Sequence, residues 1–164
     1  MSSILLRMPV GIPGAISRPQ DLTTEPALLD ATLTFTAYGL PGKFSGNSLV
    51  PLVAGDTADL NVGFLVRPYP TTSNADFNHQ LTSGTDLTGG LRTGDILKRG
   101  YLTVNVGGDA TTITRNAPVY CALAGGALTA TAPAEGDATV VAIPNAVFTG
   151  AGDANGNAEI SYKI

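Results

Sequence analysis

One histidine, one cysteine and a loose string of carboxylates are the groups in this chain with evident chemical capability. His79 lies in Asp76-Phe77-Asn78-His79-Gln80 and could act as a general base or a metal ligand. A single imidazole makes neither site without partners, and zinc asks for several Cys or His ligands. Cys121 sits among apolar neighbours in Val119-Tyr120-Cys121-Ala122-Leu123, the setting of a buried thiol that packs as a small hydrophobe. Being alone, it forms no internal disulfide. No Gly-x-Ser-x-Gly elbow accompanies the serines.

Asp153-Ala154-Asn155-Gly156-Asn157 places oxygen ligands at alternate positions, as a calcium loop does. An EF-hand loop needs Gly sixth and Glu twelfth, whereas here Gly156 is fourth and Ile164 twelfth. The same Asx and Gly residues are what a hairpin turn demands, and Asn-Gly favours type I′. Gly89-Gly90, Gly107-Gly108 and Gly125-Gly126 lie beside strand-like segments, so they read as turns and not as phosphate loops. Trp is absent and aromatics are 6%, which weakens a sugar-stacking surface. These residues point to no catalytic group, no metal and no cofactor. The function they leave is that of a surface.

The elements that would carry such a surface are strands. Leu33, Phe35 and Ala37 alternate with threonines; Val62, Phe64 and Val66, then Leu102, Val104 and Val106, repeat the pattern. Leu128, Ala130 and Ala132, and finally Ile160, Tyr162 and Ile164, continue it. Ala138 to Ile143 is almost wholly apolar and reads as a strand covered on both faces. Gly-Asp occurs at 55–56, 94–95, 108–109, 136–137 and 152–153, marking turns between short strands. Residues 146–164 form a closing hairpin whose last strand runs to Ile164. Helix signals are confined to one turn at Glu25–Asp30. Residues 71–95 read as an exposed loop with a short irregular strand at Phe77–Leu81. The fold class is all-β: an antiparallel β-barrel or jelly-roll-like sandwich with an extended N-terminal arm.

The arm is residues 1–20, where Pro9, Pro13 and Pro19 exclude a helix and a central strand; residues 21–164 are a single β domain. With 164 residues, one domain can bury a sufficient core without staples. Charged residues are 13% and apolar residues 43%, which excludes disorder. A net charge of −4 opposes direct nucleic-acid binding, and Lys98-Arg99 reads as a solvated pair. Arg7 and Pro9 interrupt the apolar start before a signal peptide could form, and no apolar run is long enough for a membrane span. The expected place of synthesis is the cytoplasm, with no membrane partner.

The order of several segments resembles the structural cement, or head decoration, proteins of tailed bacteriophages. They are Gly94-Asp95-Ile-Leu-Lys-Arg-Gly-Tyr-Leu-Thr-Val-Asn-Val106, Asn116-Ala-Pro-Val-Tyr120, Ile143-Pro-Asn-Ala-Val-Phe-Thr-Gly150 and Asp153-Ala-Asn-Gly-Asn-Ala-Glu-Ile-Ser-Tyr-Lys-Ile164. Tyr38-Gly39 and Gly63-Phe-Leu-Val-Arg-Pro-Tyr-Pro-Thr-Thr-Ser73 extend the similarity into the first half. The resemblance implies a domain on the outside of an icosahedral head, bridging neighbouring major capsid subunits as a homo-oligomer (dimer or trimer). It carries over no catalytic residue. Candidate capsid or subunit contacts are Met8, Pro9, Val10, Gly11, Ile12 and Pro13 of the arm, with Arg67 and Tyr69. Proline pre-restricts the arm, and Arg and Tyr are favoured at interfaces. Tyr69 alternatively caps the core. The rival reading is a carbohydrate-recognition β-sandwich of a phage fibre or baseplate.

Overall fold

The structure, a computed structural model, describes residues 10–30, 32–67 and 92–164. Among the described residues nine strands follow in chain order: β1 (Ile16–Leu29), β2 (Pro41–Ser45), β3 (Ser48–Pro51), β4 (Gly63–Val66), β5 (Arg92–Asn105), β6 (Pro118–Ala122), β7 (Leu128–Thr129), β8 (Val140–Phe148) and β9 (Asn157–Tyr162). A 3-10 turn spans Ala58–Leu60.

The pairing order is β1-β3-β2-β4-β5-β9-β8-β6-β7, and β1 also pairs with β5. The first five strands therefore close into a small ring, and β9-β8-β6-β7 extend from it as a wing. All pairs are antiparallel except β1 with β3. β5 is the shared spine. Its first half lies between β1 and β4, with Ile96 opposite both Glu25 and Leu65. Its second half pairs with β9 from Gly100↔Tyr162 to Asn105↔Asn157.

Period-two alternation accounts for part of the core; β4 is buried at all four positions, and Ile96-Leu97 and Leu102-Thr103-Val104 are buried in succession. Leu102 and Val104 of β5 and Ala158 and Ile160 of β9 are fully buried and face inward as cross-strand pairs. Leu49, Leu52, Phe64, Ile96, Leu97 and Phe148 join them, each contributing about 1.5–3 kcal/mol by burial. The Phe64 and Tyr162 rings meet edge-on, with centroids 5.0 Å apart at 83°, and lock ring to wing.

Several strand expectations change. Leu33, Phe35 and Ala37 lie in a loop, because the Asp30 carboxylate accepts hydrogen bonds from Thr32 N (2.7 Å), Thr32 Oγ1 (2.6 Å) and Leu33 N (2.9 Å) and turns the chain there. Glu25–Leu29 is the end of β1, not a helical turn, since the β5 ladder continues through it. β1 opens at Ile16, inside the segment read as arm. The run at 138–143 is not doubly covered: Val140 and Val141 are half-buried and Ala142 is exposed. The strand at 128–132 is only Leu128–Thr129. Phe77–Leu81 and most of the expected 71–95 loop lie outside the described residues, while Arg92–Asp95 already belong to β5.

The closing hairpin is present with a different turn. Gly156 has φ +85, but Asn155 does not have a positive φ, so the turn is not type I′. Gly156 N donates to Asp153 O at 3.2 Å, and Asp153 N donates to Asn157 O at 2.9 Å. That is a three-residue loop with a glycine bulge. Asp153 sets it: Oδ1 accepts from Asn155 N (2.9 Å) and Asn157 N (2.8 Å), and Oδ2 from Asn157 Nδ2 (3.0 Å). The final strand stops at Tyr162. Lys163 turns out of the ladder at φ 56, and Ile164 is 50% exposed.

Candidate functional site

Ile12-Pro13-Gly14-Ala15 folds into a tight turn, with Ala15 N donating to Ile12 O at 3.0 Å. Proline followed by a glycine at φ +81 is the type II arrangement. Two strands hold this turn. Gly14 N donates to Thr103 O at 2.7 Å and Thr103 N to Ala15 O at 2.9 Å on the β5 side. At the end of β4, Arg67 N donates to Gly14 O at 2.8 Å and Arg67 Nε to Pro13 O at 2.8 Å. The Arg67 guanidinium stacks over the Tyr38 ring at 4.6 Å. Two candidate segments far apart in the chain, Val10–Pro13 and Arg67, are thus brought together. Gly11 is exposed and Val10 and Pro13 are half-buried, while Ile12 is 56% exposed. Met8, Pro9 and Tyr69 lie outside the described residues, as does His79.

Beside this turn lies the outward face of β1, β5, β9 and β8. Its cross-strand pairs are Tyr101↔Ser161, Thr103↔Glu159 and Asn105↔Asn157; Thr103, bonded to the N-terminal turn, and Ser161 are buried, and the other four are half-buried. Arg18 reaches across it. Its Nη2 and Nε donate to Glu159 Oε2 (2.6 Å) and Oε1 (3.1 Å), and its guanidinium lies 4.2 Å from the Tyr101 ring centroid. Thr149 Oγ1 donates to Glu159 Oε2 at 2.6 Å. Burial pushes the Glu159 carboxyl up, but the hydrogen bonds from Arg18 and Thr149 and the Arg18 charge outweigh it and hold the group below its ordinary value. Sequence reasoning missed Arg18, Tyr101 and Glu159. The only signal for them was polar alternation opposite Leu102 and Ile160.

A depression of 550 Å3 at the end of this face is lined by Asn145, Val147, Ser161, Lys163 and Ile164. Lys98 and Arg99 are not merely solvated: they pair with Glu25 (3.6 Å) and Asp21 (3.1 Å) of β1. Cys121 is fully buried and burial pushes its thiol up to about 12, so it is protonated and inert at neutral pH. Among the described residues no group of three or more His, Cys, Asp or Glu side chains could hold a metal. No helix among them is long and apolar enough to cross a membrane.

No curated protein matches the chain. A solved structure, the capsid of Myoviridae phage XM1, contains a chain of similar fold, with a TM-score of 0.59 at 19% identity. The match covers 98% of this chain and 96% of that one. The family model for the XM1 gp53 minor capsid protein matches residues 1–162. The all-β ring-and-wing domain with its clamped N-terminal turn belongs to the XM1 gp53 minor capsid protein family and is a capsid-associated structural protein of the virion.

Proposed function

We propose that the chain is a cement protein that binds the outside of a tailed-phage icosahedral head and bridges neighbouring major capsid subunits. The observation that carries this reading is the rigid turn at Ile12–Ala15. Four hydrogen bonds to β4 and β5 hold it, yet it directs Ile12 outward at 56% exposure. An apolar anchor fixed before binding loses little conformational entropy on docking. Arg67 supports the same turn from behind. Met8, Pro9 and Tyr69 extend the contact by sequence. The copies act as a dimer or trimer, assemble in the host cytoplasm and carry out no chemical step. They touch protein and not the packaged nucleic acid, consistent with a net charge of −4.

The test is reconstitution. Purified protein is mixed with assembled heads lacking it, and co-sedimentation and the heat resistance of the heads are followed. Saturable binding with raised heat resistance is expected. Heads that neither bind the protein at physiological salt nor gain resistance would falsify the proposal.

A further inference from the structure

β1 is paired with β5 at Ile16, Arg18 and Thr23–Leu29, and among the described residues its other side is paired only at its end, by β3. From Thr24 to Leu29 the register with β5 is unbroken. Leu28 pairs with Ser48 of β3, and Asp30 N donates to Leu49 O at 3.2 Å, so both residues turn their backbone groups away from β5. Backbone groups alternate sides along a strand, which places those of Pro26 and Thr24 on the same open side. Thr23, Thr24, Glu25 and Pro26 are all exposed.

An open edge of this kind is a template for another strand. The partner always at hand is a second copy, approaching antiparallel about a two-fold axis. With the axis at Glu25, Thr24 of each copy would face Pro26 of the other. A hydrogen-bonded antiparallel pair exchanges two bonds, so two such pairs would exchange four. Pro26 has no N–H, which removes half of them, and its ring occupies the space the facing carbonyl would need. The edge cannot find another register nearby. β3 takes it over from Leu28. Before Thr23 it is bulged, since Arg18 and Thr23 pair with Tyr101 and Arg99, five steps along β1 against two along β5.

We infer that Pro26 is an edge block: it keeps the open side of β1 from zipping onto the same side of a second copy of this chain. Self-association is thereby excluded from this edge and left to other faces. The inference does not depend on what the protein docks to.

The test is Pro26→Val, which restores the N–H with a strand-favouring side chain. Light-scattering mass is measured from low micromolar to low millimolar concentration, with hydrogen exchange over residues 23–27. The mass of the variant is expected to double relative to wild type with rising concentration. The amide at Thr24 should slow at least tenfold at the upper end. Adding Thr24→Pro should return the wild-type mass. A folded Pro26→Val that keeps the wild-type mass throughout overturns the inference, as does association that Thr24→Pro leaves intact. Should Pro26→Val lose cooperative unfolding, Pro26→Ala restores the same N–H and is read by the same outcomes.

Discussion

A methyl group on Gly14 would sit 2.4 Å from Tyr38 Cβ and 3.1 Å from Arg67 N, in a backbone held at φ +81. Neither neighbour is the free end of a flexible side chain, so the turn itself must give. Gly14→Ala is expected to cost about 2–4 kcal/mol, combining left-handed strain with overpacking, and urea unfolding measures it. Glu159 sets a different dependence. Its carboxyl is held below the ordinary 4.5, so its contribution is complete above that value and is lost as pH falls through the folded-state pKa. Glu159→Gln should therefore flatten the acid side of the stability profile below pH 4.5. Its cost at neutral pH is about 1 kcal/mol, since Arg18 is half exposed and its pairing is screened. Thermal unfolding across the acid range checks both statements.

At the scale of elements, β9 is the hinge between the two halves of the sheet, pairing with β5 on one side and β8 on the other. Deleting residues 158–164 removes Ala158, Ile160 and Tyr162, all buried, and strips β5 of its second neighbour. The truncated chain should show no cooperative melting by circular dichroism. The strand content was legible because Leu102, Val104, Ile160 and Tyr162 keep period two, although Gly94-Asp95, read as a turn, lies inside β5 and pairs with Ala27 and Pro26. Leu33–Ala37 misled because it keeps the same period, while the Asp30 side chain captures the backbone before a strand can continue. Asn155-Gly156 misled in type only: the carboxylate of Asp153 selects the glycine bulge, a three-dimensional choice that the dipeptide does not carry. The meeting of Pro13 with Arg67 had no local trace. It depends on long-range pairing, since Thr103 of β5 and Arg67 after β4 both bond to the N-terminal turn.

For the whole molecule, the proposed contact and the fold can be separated. Ile12 is exposed and its side chain makes none of the bonds that hold the turn, so Ile12→Asp should leave the melting temperature within a few degrees of wild type. The same change should weaken head binding at least tenfold, read by co-sedimentation, if Ile12 is the anchor. A variant that binds heads as wild type does would move the contact to another face. The shared spine has a consequence in time. β1 must wait for its partner, because Ile16 pairs with Leu102, and β5 then waits for Asn157–Tyr162. Pairings of such sequence separation form slowly. The ring cannot close on a growing chain until most of it has left the ribosome, so an incomplete polypeptide lacks the docked turn that presents Ile12. Finished copies alone would compete for places on the shell.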